Sequence, residues 1–203
     1  MSAHLPLRVL LSMSLLFWFS PGNAVSGDCE SWVAKIVSVQ GSVQIKRAGA
    51  SAWASAERDQ TFCTGDSVRV QSPGRAVVVL ANETIIRLDE RTAITFPAIE
   101  RKKSSILDLV KGAIHFISRV PRTLEVKTPF VNAAIEGTEF LVRVDADHTQ
   151  VIVFEGTVVA GNPYGKVRVN AGYGVNARAG QAPVRHPVAN PVDAVQWALY
   201  YPP

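Results

Sequence analysis

Three glutamates stand beside two copies of one tripeptide: Glu136 and Glu139 around Glu136-Gly137-Thr138, and Glu155 at the head of Glu155-Gly156-Thr157. Paired carboxylates are what glycoside hydrolysis requires, one protonated to donate to the leaving oxygen and one ionised. Each of these glutamates sits beside a predicted strand corner, however, and the surrounding residues supply no apolar pocket with aromatic sugar platforms. They read as solvated turn residues. Asp145, Asp147 and His148 offer mixed ligands for a divalent ion. No fourth ligand or Gly-spaced calcium loop follows them, and alternating acids also fill ordinary hairpin loops. For nucleophilic catalysis there is no Gly-x-Ser-x-Gly elbow, and beyond residue 24 the histidines are His115, His148 and His186. His115, between Ile114 and Phe116, is expected on the polar face of a strand. The chain therefore reads as non-enzymatic, with no cofactor and no metal.

Two further residue sets carry binding chemistry rather than catalysis. Arg101, Lys102 and Lys103 form a basic patch that Arg119, Arg122 and Lys127 extend. Such a patch either solvates a surface or binds an anionic envelope polymer, a lipopolysaccharide phosphate or a wall glycan. Asn82-Glu83-Thr84 fits a glycosylation sequon but is read as a hairpin turn. Trp53, in the polar and small stretch GASAWASAERD, is expected as a plug beneath a loop, with an exposed contact residue as the alternative.

The compartment follows from the first residues. Arg8 precedes an apolar run from Val9 to Phe19, then come Pro21, Gly22 and a small-residue site ending at Ala24. That order is a secretory signal peptide, and the run is shorter than the ~20 residues of a membrane span. Residues 1–24 are read as cleaved, leaving no stable membrane span and a periplasmic or secreted protein. Asp28 just before Cys29 does not suit lipid attachment. Without Arg8 the chain has 20 basic and 17 acidic residues, too mild an excess to imply nucleic acid. The two cysteines, Cys29 and Cys63, are expected to form one disulfide in an oxidising compartment. Its closed loop is worth about 3–4 kcal/mol in the chain-entropy estimate.

The elements that must position these residues are strands. Short Val- and Ile-rich runs alternate with turn residues along nearly the whole chain, which defines an all-β domain. Thr64-Gly65-Asp66, Ser72-Pro73-Gly74, Ala81-Asn82-Glu83, Asp145-Ala146-Asp147-His148 and Gly161-Asn162-Pro163 each read as a chain reversal. Ser105–Val120 has both helical spacing and local alternation. Gly112 in its middle, costing a helix about 1 kcal/mol, favours two strands.

Alignment on glycine groups Gln40-Gly41-Ser42, Lys111-Gly112-Ala113, Glu136-Gly137-Thr138 and Glu155-Gly156-Thr157. The first residue varies, whereas the glycine and the small residue after it persist. These are strand-kink-strand units, with Gly41, Gly112, Gly137 and Gly156 as structural corners. Strands kinked in this way build a compact two-layer sandwich or a short, solenoid-like β-roll.

The pieces VQGSV (39–43), GDSVRV (65–70), RAVVVLANETIIRLDERTAITF (75–96), VKTPFVNAAIEGTEFLVRV (126–144), VIVFEGTVV (151–159) and VNAGYGV (169–175) together resemble the FecR domain. It is the periplasmic part of bacterial iron-signalling regulators and of other exported proteins. The resemblance covers residues 32–180, after a signal peptide (1–24) and a lead with Cys29 (25–31). It implies an extracytoplasmic β domain that binds protein partners and transmits a state, with no catalytic residues to carry over. The regulators that name the family also hold a sigma factor through a cytoplasmic segment ahead of a transmembrane helix. With residues 1–24 read as export signal, that activity is not carried to this chain.

The Pro-rich tail, 181–203, departs from the domain. Asp193 is placed to cap a short helix presenting Val195, Trp197, Leu199 and Tyr200. Trp197, Leu199 and Tyr200 are candidate partner contacts; the alternative is that the segment folds back on the domain. The expectation is an exported signalling or assembly module with an envelope protein partner, the alternative being a polymer-binding module using Arg101, Lys102 and Lys103.

Overall fold

The computed structural model describes residues 31–98 and 105–199. The signal segment, Cys29, Arg101, Lys102, Lys103 and Tyr200 lie outside them. The strands are β1 (Ala34–Lys46), β2 (Ala54–Ser55), β3 (Thr61–Phe62), β4 (Ser67–Leu80), β5 (Ile85–Leu88) and β6 (Ala93–Ala98). They continue with β7 (Ser105–Lys127), β8 (Asn132–Val144), β9 (His148–Asn162), β10 (Gly165–Asn170), β11 (Tyr173–Arg178) and β12 (Val184–Pro187). A 3-10 turn (Pro191–Val195) and one turn of α-helix, α1 (Gln196–Leu199), follow.

All recorded pairings are antiparallel, and they join the strands in the order β12-β11-β9-β8-β7-β5-β4-β1-β2. The first half of β4 pairs with β6 and its second half with β5, while β7 pairs with both. The circuit β4-β5-β7-β6 thus closes on itself as a small barrel. It can do so because β4 and β7 are long enough to turn a corner and serve two layers.

Alternation explains where the corners fall. In β9, Val151 and Val153 face the main core before Gly156, and Val158 and Ala160 face it afterwards. The inward positions change from odd to even. The same switch occurs in β7 (Leu107 and Leu109, then Ile114 and Phe116) and in β8 (Ala133 and Ile135, then Phe140 and Val142), and the reverse one, from even to odd, in β1 (Ala34 and Ile36, then Val43 and Ile45). A strand's side chains have a period of two, so one extra residue at a bulge inverts which set points inward. The polar-Gly-small step is that extra residue, and register shifts accompany it between Gly41 and Val43 and between Glu136 and Glu139.

Ser72-Pro73-Gly74, expected as a chain reversal, lies instead inside β4, which continues through a cis Ser72–Pro73 peptide. Gly74 is the register partner of Gly41, so the two neighbouring strands bend together at one line. The segment Ser105–Val120 is strand throughout its described length, kinked at Gly112.

Candidate interaction surfaces

Backbone geometry gives the glycine corners their rigidity. Gly41, Gly112 and Gly156 have φ of +64°, +91° and +87°, a region that side chains disfavour. At Gly112 an added Cβ would collide with Cα and Oγ1 of Thr92. That hydroxyl donates to the Ala113 carbonyl at 3.1 Å and accepts from the Ala113 N–H at 3.0 Å. Thr92 thus closes the β5–β6 turn onto the β7 corner, and the backbones approach too closely for any side chain at residue 112. Gly137 is the register partner of Arg122 in β7.

The bulge at Gly112 leaves Ala113 and His115 on the face away from the main core. That face is not exposed to solvent. Ala113, Leu141 and Ile152 pack with Val195 and Ala198 of the C-terminal segment, and Phe154, Val188, Ala194 and Trp197 surround them. The tail therefore folds back on the sheet through residue 198. Arg87 fastens it, donating from Nη1 to the Ala198 carbonyl at 3.1 Å. Trp197 is half-buried and donates its indole N–H to the Ala194 carbonyl at 3.0 Å.

His115 lies beneath this cap and is only 2% exposed, so the polar strand face on which it is expected is covered. The reason is the cap: the alternation is as expected, but the outer face is covered. Its Nε2 stands 2.8 Å from Oε1 of Glu139, and the Phe154 ring meets the imidazole edge at 5.5 Å. Burial holds His115 below its ordinary pKa, against the pull of Glu139, and the nearby Arg87 charge acts in the same direction as burial. Glu155 is the register partner of Glu139 and is exposed. Glu139 is thus engaged by a histidine rather than paired with a second carboxylate over a pocket.

The remaining predicted residues are scattered. Asp147 binds His148 Nδ1 at 2.8 Å and Arg178 at 3.1 Å, and Asp145 stands 3.6 Å from His148 Nε2. The histidine hydrogen bond is the main cause of a lowered Asp147 pKa. These contacts tie the β8–β9 turn to β11. Among the described residues no group of three or more His, Cys, Asp or Glu side chains is placed to hold a metal ion. His186, on β12, lies against Gly174 of β11. Asn82 is buried in the β4–β5 turn, where its side chain accepts from the Thr84 N–H.

Trp53 is half-exposed, correcting its expected role as a plug. Arg69 lies 4.3 Å and Lys46 5.3 Å from the ring, so the indole is held on the outside of β1 and β4 by cation–π contacts. Arg69 also donates to Gln44, which accepts from Gln71 as well. Asp66, expected only as part of the Thr64-Gly65-Asp66 reversal, is 1% exposed. It accepts from Arg47 Nη1 at 2.7 Å, the Ala48 N–H at 2.8 Å and the Cys63 N–H at 2.9 Å. Its position after Thr64-Gly65, at a turn, was the signal available for finding it.

Residues 66–159, from the start of β4 to the second half of β9, match the family model described as "FecR protein". Over these residues, somewhat under half of the chain, the sequence is similar to the FecR domain. No curated protein matches the sequence. Two crystal structures of a candidate anti-sigma factor from Parabacteroides distasonis are similar, each with a TM-score of 0.56 and 18% identity. The matches cover 65% and 64% of this chain, and 64% and 63% of those chains. The chain therefore spans under two thirds of the length of the protein it resembles, and at this identity the likeness is one of fold. The FecR match covers the closed β4-β5-β7-β6 circuit and the glycine steps at Gly112, Gly137 and Gly156.

Proposed function

We propose that this chain is an exported, non-enzymatic FecR-type module that works in the cell envelope by contact with a protein partner, in signalling or assembly. The observation that carries the reading is the FecR match over β4 to β9, the region that forms the barrel and its corners. The candidate anti-sigma factor with a similar fold is in keeping with a regulatory role. No described helix is long and apolar enough to cross a membrane. The proposed organisation is a signal peptide (1–24), a lead (25–31), a β domain (32–180) and a tail (181–203).

Strand geometry bears on where such a contact would form. At the β12 edge, Val188 N–H bonds to the Gly172 carbonyl, so by strand alternation residues 183, 185 and 187 face outward. Two of these three are prolines, which cannot donate to an added strand. The tail, with Val195 and Ala198 buried, is already occupied. Partner capture by the tagged full chain and by a chain ending at residue 189, from periplasmic extract of the native host, is expected to recover the same partner. Absence of a reproducible partner with both chains would overturn the reading.

A second reading is favoured by the outer face of β1 and β4, where Trp53 and Arg69 adjoin the Gln44 and Gln71 amides. That face would bind an envelope polysaccharide or lipopolysaccharide, as would the basic residues Arg101, Lys102 and Lys103, which lie outside the described residues. Retention on such polymers without a protein partner is its expected outcome. We also propose the Cys29–Cys63 bridge: no described cysteine is free, and intact mass with and without reductant checks it.

A further inference from the structure

The line where the sheet bends at Gly112 also opens a groove. A cavity of about 720 Å³ is lined by Arg91 from the β5–β6 turn, by Lys111 and Val110 of β7, by Pro129 and Phe130, and by Arg143 of β8. A second hollow of about 240 Å³ adjoins it, sharing Val110 and Pro129 and reaching Lys127 and Leu109. Val110 is 59% exposed, one of few large apolar side chains so placed among the described residues. The two hollows thus adjoin as one groove with Val110 at its middle, and its lining carries Asp89, Glu90, Asp145 and Asp108 as well as Arg91, Lys111, Arg143 and Lys127.

The charges in the groove are unequally committed. Asp89 has Arg75 and Arg143 each 3.9 Å away, Glu90 accepts from the Ser72 hydroxyl at 2.7 Å, and Asp145 faces His148. Arg91 and Lys111 are exposed and make no ion pair with a described residue. Arg91 also holds φ at +59°, a conformation in which glycine or asparagine would be less strained. An unpaired cationic pair next to an exposed apolar ridge complements an acidic side chain followed by a large apolar one, the pattern of an extended acidic peptide.

We propose that this corner groove is the partner-binding surface, and that it receives an acidic linear segment of a partner protein: a carboxylate against Arg91 and Lys111, and an apolar side chain against Val110 and Pro129. The inference rests on the reading of the chain as a protein-interaction module, and it adds the place and the chemistry of contact. Both cations are on the surface, so exchanging them leaves the core untouched.

The probe is a fluorescent peptide with two aspartates flanking a leucine-phenylalanine pair, compared with its twin carrying asparagines, by polarisation on the full secreted chain. The acidic peptide is expected to bind saturably and to weaken as salt rises from about 0.05 M to about 0.5 M. The doubly exchanged Arg91→Glu, Lys111→Glu protein should bind it at least ~10-fold more weakly, as expected for losing two facing charges. Val110→Asp should also lose binding, with the circular-dichroism melt unchanged in both variants. Equal binding of the two peptides, no saturable binding, or full binding by the double variant would each overturn the proposal. Binding of wall polymer or lipopolysaccharide but not peptide would also do so. If the native partner is still captured in full by the double variant, the groove is refuted while the protein-interaction reading stands.

Discussion

Replacing Gly112 with alanine tests the corner architecture most directly, because its cost has two separable parts. Holding an L-residue in left-handed backbone costs about 1–2 kcal/mol. The added Cβ also displaces Thr92, whose buried hydroxyl makes both hydrogen bonds to Ala113. Leaving those groups unpaired costs roughly a further 1–3 kcal/mol, so Gly112→Ala should destabilise by about 2–5 kcal/mol. Gly180 provides the control: its φ is +70°, yet a Cβ there meets nothing within 4 Å. Gly180→Ala should therefore show only the backbone part, about 1–2 kcal/mol. Urea unfolding followed by circular dichroism measures both, and the thermal midpoint of Gly112→Ala should fall by roughly 4–20 °C at about 2–4 °C per kcal/mol. Equal losses for the two variants would show that Thr92 is not held against the corner, and the account of Gly112 as a point of close approach would be wrong.

Other predictions follow from buried polar groups. His115 is held below its ordinary 6.5, so the unfolded chain binds more protons between the two values, and stability should fall as pH drops through about 6.5. His115→Gln should flatten that slope, and Trp197 fluorescence, read alongside unfolding, reports whether the cap loosens first. For Asp89 the sign is opposite: burial raises its pKa above 3.8, so its ionisation costs stability above the raised value. Asp89→Asn should therefore leave stability at pH 7 unchanged or higher in urea titrations. Asp66→Ala removes the acceptor of three hydrogen bonds and leaves Arg47 without its carboxylate. A loss of about 3–5 kcal/mol is expected for breaking such a buried pair, and a loss under ~1 kcal/mol, the range of exposed ion pairs, would contradict the burial described.

Much of the architecture was legible because strand physics is local. Alternation of Val and Ile, broken by Gly-containing steps, announced strands and their kinks, and the ambiguous stretch around Gly112 is strand, though one continuous kinked strand rather than the two short ones its glycine suggested. Ser72-Pro73-Gly74 misled because its residues suit a reversal and a corner equally well. The choice was made by β1, whose Gly41 stands opposite Gly74. His115 misled differently. Its neighbours place it correctly on the outer face, but the cover comes from Val195 and Ala198, some eighty residues away. Trp53 was drawn outward by Arg69 and Lys46, which reach it from β4 and β1.

The sequence by itself determined the strands, their interruptions and the inversion of inward-facing positions at each glycine, because side-chain period and backbone freedom are properties of a few consecutive residues. Tertiary structure alone decided which faces are covered, that Glu139 meets His115, and that Arg91, Lys111 and Val110 share one groove. Those outcomes depend on strand register and on which distant segment packs where, and neither is encoded in any short stretch of chain.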